Sequence, residues 1–538
     1  MSRLNSHLAA LASSGATDSL CGILRGLEKE SLRVTPEGHL AQTPHAPTLG
    51  SALTHPHITT DFSEALLEFI TQPTTSIRAL LTELDDIHRY TYSQLGDELL
   101  WPGSMPCVLG KDDDIPVARY GSANSAAMKT IYRLGLGHRY GRRMQTIAGV
   151  HYNFSLPDSF WQALQQQEID SRPLQVYKTE KYFALIRNFR RNFWLLLHLY
   201  GAAPAVCKSF VGDREHSLEP LPGNSNTLHL PYATSLRMGD LGYQSDAQQS
   251  LIVCYNNLDS YLKTLCSAIT RPLPAYQAIG LKDAAGNYQQ LNTSLLQIEN
   301  EFYSTIRPKR TTRSGQTALD ALSTGGVEYV EVRCVDLNPF EPLGVNAEQL
   351  HYLDAFLLYC LLQDSPPTTH PEYLELQENQ KRVVQNGRDP ALRLQQGGRE
   401  VPLGVWAADI QQGVAACAQW LDQAFGTGDY GAAVTAQDDK LAGRSSTPAE
   451  QLLTQMQTSG KGYYQTMLEQ AQAHRDYFAH RPRDAELQQL FTTLAETSLA
   501  EQRDIEAADS LDFNSYLARY YAQYANCGCS ESAAATVE

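Results

Sequence analysis

The chain has no Gly-x-x-x-x-Gly-Lys-Ser/Thr run and no protein-kinase signature set, so a P-loop or kinase-type phosphate cradle is excluded. It also has no surplus of positive charge. Its 538 residues carry a formal net charge of −16, which argues against nucleic acid or an anionic membrane as partner, since both require basic surface. A small anionic substrate stays open, because a single cleft can be locally cationic. Long apolar runs are missing too: the most apolar helix candidate, Tyr182 to Tyr200, carries Arg187, Arg190 and Arg191, which a membrane span would not tolerate. The N-terminus lacks a cationic start followed by a sustained apolar stretch, so no signal peptide is expected. Ten cysteines lie scattered, with no zinc-type spacing apart from Cys527-x-Cys529; in a chain this long they read as reduced thiols, not a disulfide framework. A soluble, cytoplasmic protein is the expectation.

What is present is a set of extended stretches with polar groups on one face. In Gly22-Ile-Leu-Arg-Gly-Leu-Glu-Lys-Glu-Ser-Leu-Arg-Val34, strand alternation puts Glu28 and Glu30 on the same side, with Cα atoms roughly 6.5–7 Å apart. Ile58 to Ile70 follows, an apolar segment carrying Asp61 and Glu68 whose period is ambiguous between helix and strand. An amphipathic helix is predicted from Ile77 to Leu95 and a second from about Ser122 to Leu136, which carries Tyr132 and Arg133. The clearest strand is Met144 to Leu156, with Gln145, Gly149, His151, Asn153 and Ser155 on one face and Ala148, Val150, Tyr152, Phe154 and Leu156 on the other. Long helices are predicted near 179–200 and 246–267. Leu296 to Tyr303 precedes Ile306-Arg-Pro-Lys-Arg310, and Gly325 to Asp336 is a strand with Tyr329, Glu331 and Arg333 facing one way and Val330, Val332 and Cys334 the other. A helix near 347–363 ends before Pro366-Pro367. Residues 372–525 read as mostly helical, and the last dozen are small and polar, expected to be disordered.

Collected, the polar faces offer Glu28, Glu30, Asp61, Glu68, Glu331 and His151 beside Arg133, Arg237, Arg307, Lys309 and Arg333. Five carboxylates and one imidazole suit two or three hard divalent cations, magnesium or manganese before zinc. The arginines suit phosphate and carboxylate oxygens through planar, bidentate hydrogen bonds. Acid-held cations opposite basic side chains are what phosphoryl transfer requires, because that chemistry is mostly positioning and charge neutralisation.

Five motifs sharpen this. Arg25-Gly-Leu-Glu-Lys-Glu-Ser-Leu-Arg33, Thr59-Thr-Asp-Phe-Ser-Glu-Ala-Leu-Leu-Glu-Phe-Ile70, Gly149-Val-His-Tyr-Asn-Phe-Ser155, Ile306-Arg-Pro-Lys-Arg310 and Glu328-Tyr-Val-Glu-Val-Arg333 resemble the proteobacterial glutamate–cysteine ligases (gamma-glutamylcysteine synthetases) of type 1, in order from about residue 20 to 345. The resemblance implies an α+β fold like that of glutamine synthetase: a curved, largely antiparallel sheet forming a funnel, with helices outside. Beyond about residue 366 the resemblance fades; the Pro366-Pro367 break and the composition predict a catalytic unit over 1–365, a mostly helical region over 366–525 packed on it, and a disordered tail over 526–538. The resemblance implies that ATP phosphorylates the gamma-carboxylate of glutamate and that the amine of cysteine displaces the phosphate. By motif, Glu28, Glu30, Asp61, Glu68, His151 and Glu331 look like the magnesium cluster or its support. Arg307, Lys309 and Arg333 look like the phosphate-facing cations, with Arg333, Glu331 and Arg133 closest to the chemistry. Phe62, Tyr132, Arg133, Arg237, Tyr243 and Tyr303 look like the amino-acid pocket, the tyrosines nearest the cysteine. The expected partners are ATP, glutamate and cysteine, and a monomer is expected. A related ligase using another amine, or a magnesium-dependent phosphohydrolase, are the rival readings.

Overall fold

A computed structural model describes residues 3–526, except positions 14, 107, 243–250 and 483. Tyr243, Cys527, Cys529 and the tail from 527 lie outside the described residues.

Strand β1, Leu24–Val34, is the spine of a seven-stranded sheet. The others in chain order are β2 (Ile58–Thr60), β3 (Leu66–Ile70), β4 (Leu99–Leu100), β5 (Val150–Ser155), β6 (Ile306–Lys309) and β7 (Tyr329–Val335). Their spatial order is β2-β3-β1-β5-β7-β6, with β4 added to the end of β1, and every pairing is antiparallel. The sheet is open, with β2 and β6 at its edges.

Alternation decides what each face sees. The reverse face carries Leu67, Phe69, Val150, Tyr152, Phe154, Val330 and Val332, all buried. Against it pack α2 (Ile77–Gln94) and α4 (Ala347–Leu362), the latter buried along nearly its whole length. The leading helix α1 (Arg3–Ser13) lies beside the long helix Leu403–Phe425. The front face is roofed by α3 (Asn124–Tyr140) and, from the far end of the chain, by α5 (Phe513–Ala522).

Several local expectations are corrected. Ile58 to Ile70 is neither one helix nor one strand but the β2–β3 hairpin, because Asp61 to Ala65 turns the chain so that Asp61 N–H donates to Leu66 O at 2.9 Å. The strand expected from Met144 starts only at Val150, since Met144–Thr146 is a 3-10 turn and Ile147 to Gly149 is irregular. Leu296 to Tyr303 holds a 3-10 turn at Glu299–Glu301. Of the helix expected over 246–267, positions 246–250 lie outside the described residues, 251–257 are irregular, and the helix runs from Leu258 to Thr270. A hairpin, Arg393–Gln396 with Arg399–Pro402, interrupts the helices of the C-terminal region. That region shares the main hydrophobic core: Val383, Leu421, Leu452, Phe491 and Tyr524 belong to the same buried cluster as Leu27 and Val330. No described helix is long and apolar enough to cross a membrane.

Candidate active site

Antiparallel register assembles the front face from residues far apart in sequence. Glu28 lies opposite His151, Glu30 opposite Glu68, Glu331 opposite both Asn153 and Arg307, and Tyr329 opposite Lys309. Directly opposed residues project the same way, so one surface gathers these acids, the imidazole and the cations. A register irregularity between Val332 and Val335 sits where Arg333 turns toward the same surface.

The central set is tight. Glu28 Oε2 is 3.1 Å from His151 Nδ1, and Glu28 Oε1 accepts from Asn153 Nδ2 at 2.9 Å. Lys309 Nζ donates to Glu331 Oε1 at 3.1 Å and Arg333 Nη1 to Glu331 Oε2 at 3.2 Å, with Arg307 Nη1 4.0 Å away. Arg333 Nη1 lies 3.5 Å from His151 Nδ1. Glu28, His151 and Glu331 each bring one ligand atom within 4.8 Å of the others. Glu30 Oε2 accepts from Gly149 N–H at 2.7 Å, and its Oε1 stands 3.8 Å from His151 Nε2. A Cβ at Gly149 would lie 2.0 Å from Arg237 Nη2, so any larger residue would displace that buried guanidinium.

The charges on this face are unevenly met. Burial disfavours the Glu331 carboxylate, but Lys309, Arg333, His151 and Arg307 outweigh it and hold its pKa well below the ordinary range. Burial and Glu331 likewise oppose ionisation of Glu28, but His151 and Lys309 bring it below normal. Burial works against Lys309 as well, yet Glu331 and Glu28 raise it. Burial and then Arg333 lower His151, so the ring is neutral, the form that ligates metal. On the β1–β3 side the arginines that act, Arg237 and Arg333 on Glu30 and Arg133 on Glu68, do not outweigh burial and the neighbouring acids. Burial and Asp61 push Glu30 up to about 8, and burial with Glu28, Asp61 and Glu30 raises Glu68 well above its ordinary value.

These residues fit divalent cations. His151 Nε2 is buried with no hydrogen-bond partner among the described residues and faces Glu30, and a neutral imidazole among carboxylates is an oxygen-rich donor set of the kind that hard cations take. Glu28, His151 and Glu331 would hold one such ion, and Glu30 with Glu68 offers the acid for another.

The front face opens into a cavity of about 570 Å³. Glu28, Glu30, Asp61, Phe62, Glu68, Tyr132, Arg133, His151, Tyr303, Arg307, Lys309, Glu331 and Arg333 all line it. Asp61 is at its rim, its side chain 43% exposed and 3.9 Å from Arg133 Nη2, while Arg133 Nε donates to the Asp61 carbonyl and Nη1 to Lys129 O at 2.9 Å. Tyr303 OH meets Gln145 Nε2 at 2.9 Å. Arg237 is the one described expectation that the structure does not bring to the cavity surface. Its guanidinium is fully buried behind the wall, donating to the Arg333 carbonyl at 2.9 Å and standing 3.5 Å from Asp336, so it props Arg333 from behind.

Sequence reasoning missed four participants. Asn153 was on the right face yet unassigned, although it orients Glu28. Lys129 lines the cavity one turn before Arg133. Tyr516 and Tyr520 of α5 also line it; their i, i+4 spacing was legible, but nothing local connected residue 516 to residue 132.

The residues matched by the family model described as glutamate-cysteine ligase are 8–383. A glutamate–cysteine ligase of Alcanivorax borkumensis is 52% identical over 526 residues, covering 97% of this chain and 100% of that one. One from Saccharophagus degradans is also 52% identical, covering 98% and 99%. Among solved structures, a glutamate–cysteine ligase from Francisella tularensis in complex with AMP superposes with a TM-score of 0.88 at 35% identity, covering 94% of this chain and 98% of that one. A bifunctional glutathione synthetase from Pasteurella multocida shares the fold, with a TM-score of 0.70 at 23% identity over 90% of this chain and 58% of its own length. The match runs through the sheet that carries the acid and arginine array and on into the C-terminal helices: the chain belongs to the glutamate–cysteine ligase family.

Proposed function

We propose that this protein joins the gamma-carboxylate of L-glutamate to the amine of L-cysteine at the expense of ATP, through gamma-glutamyl phosphate, as the first step of glutathione biosynthesis. The observation that carries this reading is the opposition, within one cavity, of a carboxylate–imidazole set (Glu28, His151, Glu331) and a cation set (Arg307, Lys309, Arg333). The relatives' names and the AMP in the Francisella complex support the same substrate classes.

A carboxylate is a poor acyl donor at neutral pH, so one of its oxygens first takes the terminal phosphoryl group of ATP, releasing ADP, and leaves as phosphate when the amine attacks the acyl carbon. Magnesium, or manganese, held by Glu28, His151 and Glu331 and by Glu30, Glu68 and Asp61 would supply charge neutralisation at the phosphate oxygens. The chain's own residues do the rest. Lys309 and Arg333, both within hydrogen-bond reach of Glu331, present donors to the transferring phosphoryl group, where preorganised donors stabilise developing charge. Arg237 and Glu331 fix Arg333 from two sides, so little reorganisation accompanies transfer. Arg133, braced by Asp61 and Lys129, offers a planar fork to a substrate carboxylate. Phe62, Tyr132, Leu136 and Ile147 line the remaining cavity and exclude water from the acyl phosphate. The protein acts as a cytoplasmic monomer in this reading.

Phosphate release with glutamate and a panel of amines tests it. Release should require a divalent cation and glutamate and be fastest with cysteine, with 2-aminobutyrate, similar in size but lacking the thiol, partly replacing it. Equal turnover with ammonia would leave only a broader carboxylate–amine ligase. Full-rate release without any amine would favour a phosphohydrolase.

A further inference from the structure

Arg133 lines the cavity, and one buried side chain behind it bears on it twice. That side chain is Tyr120. Its ring centroid lies 4.6 Å from Arg133 Cζ and 5.1 Å from Lys129 Nζ, so both cations of this turn of α3 sit over the ring. The Tyr120 hydroxyl oxygen lies 2.7 Å from Thr60 O and 2.9 Å from Asp61 O, and it accepts from Thr60 Oγ1 at 3.2 Å. The Asp61 carbonyl is the same one that accepts from Arg133 Nε. Burial pushes the Tyr120 hydroxyl well above the usual phenol range, so it stays protonated and remains a donor.

Tyr120 is held in turn by a strap lying along the β2–β3 turn. Ala118 N–H donates to Phe62 O at 3.0 Å and Glu64 N–H donates to Pro116 O at 3.1 Å, with Val117 bridging antiparallel to Ser63. Arg119 N–H donates to Glu64 Oε1 at 2.6 Å, and Thr130 Oγ1 of α3 donates to Ala118 O at 3.2 Å. The ring packs among Ala52, Ala118, Ala123 and Ala126, a small cluster apart from the main core. Tyr120 is not one of the described residues that line the reaction cavity.

Two effects therefore converge on one guanidinium. The ring attracts its charge and fills the space into which it could otherwise fold back. The hydroxyl fixes the carbonyl that Nε uses. With Nε on Asp61 O and Nη1 on Lys129 O at 2.9 Å, the plane of the fork is set, and Nη2 is left for a ligand. A fork recognises a carboxylate only when its plane is right, and a misplacement of about 1 Å can cost on the order of 10²-fold.

We propose that Tyr120 is a positioning residue for Arg133, setting the plane of its guanidinium through ring and hydroxyl together without itself meeting a substrate. The proposal rests on the ligase reading only in giving Arg133 a substrate carboxylate to hold.

The test uses the full-length protein with Tyr120→Leu, Tyr120→Phe, Arg133→Lys and the double variant of Tyr120→Leu with Arg133→Lys. Steady-state kinetics gives KM and kcat for each substrate, and crystal structures of the parent and Tyr120→Leu read the Arg133 side chain without turnover. Arg133→Lys identifies the amino acid whose KM depends on the fork. Tyr120→Leu should raise that same KM on the order of tenfold, with KM for ATP within about twofold of the parent. In the double variant the Leu substitution should add less than about twofold, because no fork is left to position. Phe keeps the ring and loses the hydroxyl, so it should recover part of the loss and leave that KM raised about threefold. In the Tyr120→Leu crystal, Arg133 Nε should have left the Asp61 carbonyl. Should Tyr120→Leu melt too low to assay, Tyr120→Phe decides: a rise of that size supports the proposal and a parental KM overturns it. Parental amino-acid KM values in Arg133→Lys or in Tyr120→Leu, effects that simply multiply in the double variant, an equal rise in KM for ATP, or an unmoved Arg133 in the crystal each overturn it. A parent that forms no gamma-glutamylcysteine would remove the ligase reading, and the place of Arg133 in the two crystals would then decide the role of Tyr120.

Discussion

The two faces of β1 handle buried charge in opposite ways. On the reverse face, Arg25 meets Asp354 at 2.6 Å with both side chains fully buried, and its remaining donors reach Ile23 O, Thr75 O and Tyr430 OH. Tyr152 OH completes the Asp354 carboxylate at 2.5 Å. Burial works against the Arg25 charge, but Asp354 more than compensates and raises its pKa. Lys29, two turns of the pleat along, sits 2.7 Å from His88 Nε2, and burial brings it down to about 7. On that face the Arg25 and Asp354 charges match each other, and burial disfavours the Lys29 charge. On the front face, two residues away at most, Glu30 and Glu68 keep acid groups that the protein itself does not neutralise. A closed network stabilises a fold, whereas an open one waits for a cation.

The sharpest way to break that comparison is Arg25→Met. Removing one partner leaves Asp354 buried and uncompensated, which costs about 3–5 kcal/mol. Urea unfolding should show that loss, while turnover per folded molecule at saturating magnesium stays near normal. A large turnover defect with parental stability would mean the reverse face takes part in the chemistry.

Front-face changes should do the reverse. Arg333→Lys retains the charge and loses the planar fork, so turnover should drop on the order of 10²–10³-fold and resist added magnesium. Glu331→Gln should lose comparable activity that extra magnesium partly restores. The melting curve of Arg333→Lys should stay within a few degrees of the parent, whereas Glu331→Gln, which leaves Lys309 and Arg333 without their carboxylate, should also melt lower. If both variants turned over like the parent, β7 would not line the reacting centre.

A smaller effect is expected from Val330→Ala on the reverse face of the same strand. Val330 is 0% exposed, so the missing methyls leave a cavity worth about 2 kcal/mol. The measurement is the same pair of denaturation and kinetic curves, and a turnover loss exceeding the stability loss would blur the division between faces.

The smallest expected effect sharpens the open-network idea through pH. Glu30 in the folded chain keeps its proton up to about pH 8, whereas its ordinary value is 4.5. The folded state therefore binds more protons between those limits. The associated stability is fully present below pH 4.5 and is lost as pH rises through about 8. Glu30→Gln removes the titrating group, so at pH 8.5 without metal the variant should exceed the parent by about 1–2 kcal/mol. The difference should vanish near pH 4.5, and should vanish at pH 8.5 when magnesium is added to the parent. A parent whose stability near pH 8.5 ignores magnesium would argue against metal at Glu30.

Much of the front face is legible in the sequence, because a strand's period of two is written into the residues themselves. Glu331 and Arg333 had to share a side, with Val330 and Val332 on the other. The β2–β3 hairpin was not legible: Asp61 to Ala65 contains no glycine or proline to mark the turn, and the apolar residues around it satisfy helix and strand templates alike. Arg237 was read toward the pocket on its charge and motif, but a buried guanidinium takes whichever acceptors surround it, here Asp336 and the Arg333 carbonyl.

By itself, then, the sequence determined the strand faces, the inventory of acids, imidazole and arginines, and through its motifs the family. Register alone decided which of them meet: Glu28 with His151, Glu30 with Glu68, Glu331 with Arg307. Those pairings span up to 123 residues of chain, and no local pattern encodes a partner that distant. Tertiary structure alone also decided that the far C-terminal helix closes the cavity. Tyr516 and Tyr520 owe their place to Leu517 packing near Met128 and to hydrogen bonds with residues 124, 297, 299, 315 and 317. An exposed amphipathic helix states that it will bury one face, and only the assembled fold supplies the surface that receives it.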